Sequence, residues 1–471
     1  MAGLDGDLAA LGPGGGCGQK RQTGHDEPPE RTHRFTIDRP VPAATQLSRP
    51  ALTLAARPPY DPAQMESIET VIVGGGQAGL ALSYHLRALG REHVILERGR
   101  VAERWRSERW DSLTFQFPAW SIELPGHAYR GGDPEGFVPR DEVVRFLDEY
   151  RDLIKAPLRT GVAVRAVRRK PGSPRLLVET DGLAYEAAQV VAATGPYQEP
   201  LRHALAAALP PEVVQVHSSR YRNPGMLPPG AVLVVGSGAS GCQIVEDLLG
   251  AGRTVYLSVG RHRRVPRRYR GRDVFWWLRE MGALDQTIIE RPDARQTPNP
   301  LVTGAGGGHD IDIRDYAAGG VVLLGRLRGA DDGRLHFDDD LDAQLAKGDE
   351  GLIAFCTSAE EYARRQGLEP PPTGTEPAAP PRARRVASPP QLDLRAAGVT
   401  SVVWATGFRA DFGWIELPAF DAAGEPRHRR GVSPCAGLYF LGLPWLHKLK
   451  SSVLCGVGED AQHLAERIAA R

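Results

Sequence analysis

Two glycine-rich turns, each lying between an apolar strand-like run and a helix-like run, constrain this chain more than any other feature. The runs 69–73 and 231–235 are rich in valine, and each ends directly at the pattern G-x-G-x-x-G. Apolar residues at helical spacing follow each turn, and a second apolar run then follows at 93–97 and at 254–259. This order is the βαβ unit, from which parallel sheets with packed helices are built. The glycines are Gly74, Gly76 and Gly79 in the first turn, and Gly236, Gly238 and Gly241 in the second.

The three glycines of each turn have separate physical tasks. The first permits a tight turn, the second lets the backbone approach a pyrophosphate, and the third allows close contact between helix and strand. The helix that follows offers N–H groups and partial positive charge to the same phosphate. Two such units, far apart in the chain, predict an α/β fold with two Rossmann-like dinucleotide-binding domains, the second inserted in the first.

The charge at the end of the second strand distinguishes the two turns. After the first turn, the strand 93–97 ends in Glu97. A carboxylate at this position accepts hydrogen bonds from a ribose diol, and its charge would repel a 2′-phosphate. The first turn is therefore predicted to bind FAD or NAD, and not NADP.

The second turn has no acid at the corresponding place. Its following strand contains Ser258, and Arg261 comes shortly after. A hydroxyl and a planar guanidinium suit the 2′-phosphate of NADPH, which makes NADPH the predicted ligand of this turn. Further arginines are expected to form a solvated face, because a near-neutral chain without an aromatic stacking platform does not favour a nucleic-acid patch. They are Arg263, Arg264, Arg267, Arg268, Arg270 and Arg272.

The order of the two units predicts four segments. Residues 1–65 are rich in glycine, proline and arginine with little periodicity, and they are expected to be disordered or to precede the natural start of the protein. Residues 66–225 are assigned to the first part of the FAD-binding domain and 396–471 to its C-terminal part. Residues 226–395 are assigned to the NADPH-binding domain, within which the proline-rich stretch of about 369–390 is expected to be a surface loop.

A third glycine cluster, at 304–310, is not predicted to be another phosphate-binding turn. No apolar strand precedes the sequence GAGGGHD, and no helical pattern follows it. The spacing instead predicts a flexible loop, which we expect at the mouth of the substrate site.

Composition limits the remaining classes of function. Of the 471 residues, 41% are hydrophobic and 24% charged, and the formal net charge is +1, which is typical of a soluble globular protein without a nucleic-acid or membrane partner. The five cysteines form no Cys-x-x-Cys pair, which argues against a thiol-redox centre, a metal site and a disulfide framework. A reducing, cytoplasmic location is expected.

The order of motifs resembles that of the flavin-containing monooxygenases. The first glycine turn is followed by the block W-x-x-x-x-W-D-S-L, by A-T-G, by H-x-x-x-Y, by the second turn and by a second A-T-G. The resemblance extends from about residue 66 to the C-terminus and is strongest to a bacterial flavoprotein branch, with the plant indole-pyruvate monooxygenases as relatives. The sequence departs from the family at Glu103 and Arg104, where two glycines are usual, and at Pro211 and Val213. Tyr221, in place of tryptophan, argues against a Baeyer–Villiger type.

The resemblance implies a role for each matching residue. Gly74, Gly76, Gly79 and Glu97 would hold the ADP half of FAD, Trp105 would lie near the flavin, and Gln116 would lie beside the flavin's reactive edge. Thr194, Gly195, Thr406 and Gly407 would contribute backbone near the cofactors. His217 and Tyr221 would belong to a linker between the domains and would take part in cofactor binding. Gly236, Ser237, Gly238, Ser240, Gly241 and Arg261 would bind NADPH, and Ser258 would assist.

The implied reaction uses the two cofactors, O₂ and a small organic substrate. NADPH would reduce the flavin, the reduced flavin would trap O₂ as a C4a-hydroperoxide, and one oxygen would pass to the substrate. Gln116 would stabilise that adduct or orient NADP⁺, or would only pack beside the ring. An NADPH oxidase, a flavin-linked dehydrogenase and a redox-sensing accessory flavoprotein remain as alternatives. The substrate and the oligomeric state stay open.

Overall fold

The computed structural model describes residues 65–368 and 386–471. The expected N-terminal extension, apart from Met65, and residues 369–385 of the expected proline-rich loop lie outside the described residues. Two main sheets organise the described chain. Their strands, in chain order, are β1 (Met65–Val73), β2 (His93–Glu97), β3 (Leu158–Thr160), β4 (Val164–Arg169), β5 (Leu176–Thr180), β6 (Ala184–Ala192), β7 (Val214–His217), β8 (Ala231–Val235), β9 (Val255–Ser258), β10 (Val322–Leu324), β11 (Val399–Trp404) and β12 (Leu438–Phe440).

The first sheet has seven strands and grows from the first βαβ unit. Its order is β3-β2-β1-β6-β5-β4, with β12 also paired to β6. Strands β3, β2, β1, β6 and β12 run parallel, whereas β5 pairs antiparallel with β6, and β4 pairs antiparallel with β5. The carboxyl ends of β1, β2, β6 and β12 therefore meet at one edge of the sheet, where ligands of open α/β sheets bind.

The second sheet has five parallel strands in the order β7-β11-β8-β9-β10. It includes β7 and β11, although the sequence boundaries at 225/226 and 395/396 placed both strands in the first domain. The register explains the difference, because Val216 and Val234 both pair with Val403, so β11 lies between two strands of the second sheet. The second sheet thus begins before residue 226 and ends after residue 395.

Helices pack on both sheets. The helices of the two βαβ units begin at Gln77 and Ala239, three residues before the apolar runs at 80 and 242, because Gly76 and Gly238 act as their N-caps. Within the described residues the α-helices are α1 (Gln77–Ala88), α2 (Glu103–Ser107), α3 (Arg140–Leu153), α4 (Ala239–Gly250), α5 (Val274–Glu280), α6 (Ile313–Ala318), α7 (Leu341–Gln366) and α8 (Leu454–Ala469).

The second domain carries an insert that the local sequence pattern did not predict. Helices α5 and α7 form it, and Phe355, Ala359 and Ala363 of α7 share a buried apolar cluster with Val274 and Trp277 of α5. Helix α6 packs instead in the main core of the second domain. A three-stranded antiparallel sheet lies between β10 and β11 in sequence. Its strands are Leu327–Asp331, Arg334–Phe337 and Gln391–Asp393.

The two chain segments that cross between the main sheets are themselves paired. Glu199–Pro200 and Phe408–Arg409 form a two-stranded antiparallel ribbon. An ion pair between Arg409 and Glu199 accompanies the ribbon. The crossing segments therefore support each other instead of running as two independent linkers.

Candidate dinucleotide-binding sites

The first glycine turn is closed on two sides and open on the third. Gly74 has φ +116°, and a Cβ there would lie 2.5 Å from the carbonyl oxygen of Ala193. A Cβ on Gly79 would lie 2.1 Å from the carbonyl oxygen of Gly74. A Cβ on Gly76, in contrast, would have no atom of the described residues within 4 Å. Gly74 and Gly79 are therefore required by the fold itself, whereas Gly76 leaves space for a ligand.

The helices after the two turns present free N–H groups to that space. Neither α1 nor α4 has a side chain that caps its N-terminus, and neither has an acidic residue in its first turn. The first backbone N–H groups of a helix have no partner within the helix, and the helix dipole adds partial positive charge. Both helix ends thus have the chemistry of a phosphate site.

Glu97 is held directly against the first turn. Its Oε2 accepts a hydrogen bond from the Gly75 N–H at 2.7 Å, and its Oε1 accepts one from the Gly99 N–H at 2.8 Å. Each carboxylate oxygen can accept a further hydrogen bond. The side chain is half-buried, so a ribose diol could reach it from the open side of the turn.

The loop after β6 lies against the first turn and contains an unpaired polar atom. The Ala193 N–H donates to the Val73 carbonyl at 2.9 Å, and Gly195 has φ +72°. The hydroxyl of Thr194 is buried and has no hydrogen-bond partner among the described residues. Because buried polar groups are usually satisfied, this hydroxyl suits a polar atom of a bound ligand. The resemblance assigned only backbone to Thr194, whereas its side chain is the distinctive feature.

The second turn repeats the geometry of the first. Gly236 has φ +109°, and a Cβ there would lie 2.5 Å from the Ala405 carbonyl oxygen. A Cβ on Gly241 would lie 1.9 Å from the Gly236 carbonyl oxygen, while a Cβ on Gly238 would have no atom within 4 Å. Ser240 lies in the first turn of α4. The second site is therefore also open at its middle glycine.

The second A-T-G lies at the second turn. Residue 405 precedes Thr406 and Gly407 and contacts the second glycine turn as Ala193 contacts the first. The Thr406 hydroxyl donates to the Leu201 carbonyl, and the Gly407 carbonyl accepts from the Leu201 N–H at 3.0 Å. Thr406 is thus committed to the crossing ribbon, unlike Thr194.

Ser258 does not occupy the ribose position, which corrects the sequence assignment. The strand registers align Ser258 with Leu96, so the place of Glu97 is taken by Val259, which is buried. The Ser258 hydroxyl is 3% exposed and donates to the Gly325 carbonyl at 2.9 Å. It is therefore unavailable to a 2′-phosphate.

Ser237 connects the second turn to Arg261. Its hydroxyl is buried, accepts from the Gly260 N–H at 3.0 Å and lies 3.1 Å from the Gly260 carbonyl, to which it can donate. Arg261 follows immediately, is exposed, and makes no ion pair with any described residue. Ser237 therefore positions the backbone next to Arg261, and the guanidinium stays free for an anion.

Two of the arginines expected on a solvated face are buried instead. Arg264 is 7% exposed and forms ion pairs with Asp312 and Asp349. Arg267 is 2% exposed and pairs with Asp273 through both carboxylate oxygens, at 2.8 and 2.6 Å. Their partners are distant in sequence or on another element, so local composition could not identify them.

Gln116 and Trp105 lie where the two domains meet. Trp105 packs against the buried cores of both domains, with its ring centroid 6.0 Å from that of Phe115. Gln116 is half-buried, and its main-chain carbonyl accepts a hydrogen bond from Arg267 at 2.8 Å. Aromatic rings continue from Phe115 through Phe117, whose centroid lies 4.3 Å from that of Phe275. The seam between the domains is thus rich in aromatic rings, with Gln116 next to the buried ion pair of Arg267 and Asp273.

His217 and Tyr221 make hydrogen bonds within the protein. His217 Nε2 lies 3.1 Å from the Gly407 carbonyl, which fixes it as the donor, while Nδ1 accepts from the Ser219 N–H at 3.1 Å. Burial lowers the pKa of His217, in keeping with this neutral form. Tyr221 is fully buried and donates to Asp247 at 2.7 Å, and burial raises its pKa. Both side chains therefore stabilise the crossing region, the part of the protein in which the chain passes between the two main sheets.

The third glycine cluster packs against Phe115 and Phe137, which lie in the domain assigned to FAD binding. A Cβ on Gly304 would lie 2.2 Å from the Phe115 carbonyl oxygen, and one on Gly308 would lie 2.6 Å from the Phe137 ring. A short strand, Pro300–Leu301, precedes the cluster and α6 follows it, contrary to the expectation of no flanking structure. Gly304 and Gly308 therefore serve close packing here.

The loop after β12 also contributes to the first site, although no motif in the sequence pointed to it. Gly442 has φ +76°, and a Cβ there would lie 2.7 Å from the Ala78 Cβ on α1. The Gln77 amide donates to the Ser452 carbonyl at 2.7 Å. This loop therefore borders the N-terminus of α1. Its only sequence signal is the glycine that ends the run GLYFLG.

The two sites together define a class of protein. Space at Gly76 and Gly238, uncapped helix ends and the unpaired Thr194 hydroxyl fit two dinucleotides, one on each domain. Two such sites, with an aromatic domain boundary between them, are typical of an oxidoreductase that uses two nucleotide cofactors.

The chain belongs to the family of the CzcO-like oxidoreductases. It is 32% identical over 404 residues to the CzcO-like oxidoreductase of Geobacillus kaustophilus (strain HTA426), which covers 85% of this chain and 98% of the relative. Residues 71–279 match the family model described as pyridine nucleotide-disulphide oxidoreductase. The indole-3-pyruvate monooxygenase YUCCA4 of Oryza sativa subsp. japonica is 31% identical over 194 residues, covering 38% of this chain and 44% of the relative.

A solved structure shares the same architecture. The flavin-containing monooxygenase from Stenotrophomonas maltophilia aligns with a TM-score of 0.59 at 20% identity, covering 86% of this chain and 99% of that chain. The expected family resemblance, the two-domain α/β fold and the oxidoreductase class are confirmed. Among the described residues, none of the helices combines the length and apolar character that a membrane crossing needs.

Proposed function

We propose that this oxidoreductase is an FAD-dependent, NADPH-reduced monooxygenase acting on a small organic substrate with O₂. The observation that carries the proposal is the opposite charge at two equivalent turns. Glu97 is held at the first turn, and the exposed Arg261 lies at the second. One chain therefore has a site that disfavours a 2′-phosphate and a site that favours it, as a pairing of FAD with NADPH requires.

The residues of the first site would hold FAD. Gly74, Gly76 and Gly79 would let the pyrophosphate reach the N-terminus of α1. Glu97 would accept hydrogen bonds from the ribose diol, and the Thr194 hydroxyl would gain a hydrogen-bond partner. Bound FAD would supply the redox chemistry, taking electrons from NADPH and activating O₂. Trp105 and Gln116 would lie at the domain boundary.

The second site would hold NADPH. Gly236, Gly238 and Gly241 would admit its pyrophosphate at α4, with Ser240 in the first turn of that helix. Ser237 would fix the loop from which Arg261 reaches the 2′-phosphate. His217, Tyr221, Thr406 and Gly407 would maintain the crossing region and would not bind the cofactor through their side chains.

The seam between the domains supports oxygen transfer to an apolar substrate. Phe115 and Phe275 are 7% and 2% exposed, and the rings of Phe117 and Trp120 lie against Phe275. A water-poor, aromatic surrounding favours delivery of oxygen to a substrate over its loss to solvent. Gln116 is a neutral hydrogen-bond donor in this wall, so it could orient a reacting group without adding charge.

The test is the fate of the electrons. We expect the purified protein to be yellow, to be reduced faster by NADPH than by NADH, and to consume NADPH faster when a suitable substrate is present. A panel of small apolar sulfides, amines and ketones would be screened while NADPH, H₂O₂ and oxygenated product are measured together. Production of H₂O₂ well below the NADPH consumed, with matching oxygenated product, is the expected result.

The opposite result would identify a different activity on the same scaffold. If every compound of the panel leaves H₂O₂ equal to the NADPH consumed, the protein is an NADPH oxidase. The variant Gly238→Leu provides the control, because it should retain flavin but lose reduction by NADPH. Product formed by that variant would show that the second site does not supply the electrons.

A further inference from the structure

Arg267 is a buried hub that joins three separate segments of the chain. Its Nε and Nη2 donate to the two carboxylate oxygens of Asp273, at 2.8 and 2.6 Å. Its Nη1 donates to the main-chain carbonyl of Gln116 at 2.8 Å and to the main-chain carbonyl of Thr303 at 3.3 Å. The guanidinium carbon also lies 4.8 Å from the centre of the Phe137 ring.

The surroundings of this guanidinium are closed. Arg267 is 2% exposed, Asp273 3% and Thr303 1%. A buried charge persists only when it is paired and its donors are satisfied, and here one carboxylate balances the charge while two carbonyls take the remaining Nη1 bonds. The Asp273 carboxylate also accepts from the Phe275 N–H at 2.8 Å, so the hub fixes the start of α5.

The hub connects the insert of the second domain with the segment that carries Gln116. Arg267, Asp273 and Thr303 lie in the domain assigned to NADPH binding, whereas Gln116 lies in the domain assigned to FAD binding. The hydrogen bonds of Arg267 therefore join the two domains. The neighbouring residues Phe115 and Ala119 are held by hydrogen bonds to the 136–138 segment, at 2.7 and 2.8 Å. The backbone of Gln116 is itself fixed at its main-chain carbonyl by an arginine of the other domain.

We infer that Arg267 is the positioning residue of the reaction: it holds Gln116 at the domain boundary and makes its placement depend on the docked insert. The inference rests on the proposed function, since Gln116 acts there as the amide beside the flavin. Arginine suits this task and lysine does not, because only a planar fork can bind one carboxylate with two N–H groups and reach two carbonyls besides.

The first experiment needs no cofactor. Amide hydrogen exchange of peptides covering residues 113–120 is compared in flavin-free full-length protein for wild type, Arg267→Lys and Arg264→Lys. Arg264 is the matched control, because it is also buried and paired with acids of the second domain, and its ion pairs with described residues are to Asp312 and Asp349, outside this segment. Arg267→Lys should accelerate exchange in this peptide by roughly tenfold or more, as loss of a charge-assisted hydrogen bond implies, and Arg264→Lys should not.

The second experiment uses the flavin-loaded protein. Arg267→Lys should lower kcat by about tenfold with a KM for NADPH that changes by less than about threefold, because the hub does not touch the NADPH phosphate residues. In the background of Gln116→Ala, the same substitution should have little further effect. Such non-additivity is the signature of two residues that act through each other, and a purely structural role would not produce it.

Each result separates the inference from the proposed function. Unchanged exchange in 113–120, or full additivity with Gln116→Ala, would overturn the role of Arg267 and leave the cofactor assignment intact. Failure of NADPH to reduce the wild-type flavin would overturn the proposed function, while the exchange comparison would still decide the positioning. If Arg267→Lys does not fold, Asp273→Asn replaces it, since it weakens the same fork and should accelerate exchange in the same peptide.

Discussion

Gly76 and Gly238 differ physically from the other glycines of their turns. Gly74 and Gly236 have positive φ, and Gly79 and Gly241 have carbonyl oxygens where a Cβ would be. Gly76 has φ −88° and ψ −171°, and Gly238 has φ −72° and ψ 175°, conformations that any residue adopts. The middle glycines are therefore not needed by the fold, and their role is to leave space for a ligand.

Gly76→Leu should thus fold normally and lose flavin. A leucine side chain would fill the place of the pyrophosphate and block hydrogen bonds worth roughly 1.5–3 kcal/mol each, so FAD affinity should fall by about 100-fold or more. Absorbance near the flavin bands and thermal melting of the flavin-free protein check the two parts. Gly238→Leu is the reciprocal control, which should stay yellow. Yellow Gly76→Leu protein would refute the assignment.

Arg261 is the second residue whose role can be isolated. It is exposed and has no ion pair within the described part of the chain, so Arg261→Ala breaks no ion pair among the described residues. Loss of its fork should weaken NADPH by about tenfold or more and leave NADH nearly unchanged. Apparent Kd values for both nucleotides provide the measurement. Arg365→Ala, at the exposed end of α7, controls for loss of one positive charge, and equal weakening of both nucleotides would contradict phosphate recognition.

At the scale of elements, the carboxylate of Asp247 connects α4 to the crossing region through hydrogen bonds. Asp247 accepts from the Tyr221 hydroxyl and from the Ser112 hydroxyl, both at 2.7 Å. Ser112 belongs to the W-x-x-x-x-W-D-S-L block and Tyr221 to H-x-x-x-Y. Two motifs of the family resemblance therefore meet on one helix of the second domain, which gives them a structural reason to occur together.

Tyr221→Phe tests whether this tyrosine binds cofactor or supports the helix. Removal of the hydroxyl leaves Asp247 with one partner fewer in a half-buried place, which should cost about 1–2 kcal/mol of folding free energy. NADPH affinity should not change, because the side chain is fully buried and makes its hydrogen bond to α4. Denaturant unfolding and nucleotide titration give the two values. A large loss of NADPH affinity at unchanged stability would restore the cofactor-binding assignment.

The elements that the sequence predicted are those governed by local pattern. The strands His93–Glu97 and Ala231–Val235 coincide with their apolar runs, because a buried parallel strand needs only continuous apolar residues. Helix α7 was missed, since its Gly348 and Gly351 are unfavourable for a helix in isolation. They are required because a Cβ would lie 2.4 Å from His262 or from the side chain of Arg263.

The candidate sites were likewise predictable only where a local sequence pattern defines their residues. The glycine turns and Glu97 are defined within one βαβ unit, so their spacing was sufficient. The roles of Ser258 and Arg267 depend on Gly325 and Asp273 and on which strands are neighbours. Contacts between distant segments have no local pattern, which is why a solvated face was expected where buried ion pairs occur.

At the scale of the whole molecule, the order of the two sheets explains why both A-T-G motifs follow the same rule. β6 lies beside β1, and β11 lies beside β8, so each A-T-G leaves its strand next to the glycine turn of its own sheet. The chain then crosses between domains directly after each motif, through the ribbon of Glu199–Pro200 and Phe408–Arg409. The glycine turns and the crossing segments are therefore adjacent. A change in the orientation of either domain would move the chain close to both cofactor sites.

Burial of neutral histidines should make the whole fold sensitive to acid. Burial lowers the pKa of several histidines in both domains. They are His85, His93, His203, His217, His262, His428, His447 and His463. The pKa of His428 falls furthest, to about 4, because of burial and the nearby Arg295, against the opposing effect of Asp460.

His428 allows this acid sensitivity to be measured at one position. A histidine whose pKa is lower in the folded state stabilises the fold above its unfolded pKa of 6.5, and that contribution is lost as the pH falls from 6.5 to about 4. His428→Asn keeps an acceptor for the Gly431 N–H and cannot be protonated, so it should reduce the acid-induced loss of stability by about 1–3 kcal/mol. Unfolding free energies of variant and wild type at pH 8, 6 and 4.5 provide the comparison, with pH 8 as the internal reference. Parallel curves for the two proteins would show that His428 does not contribute to the acid response.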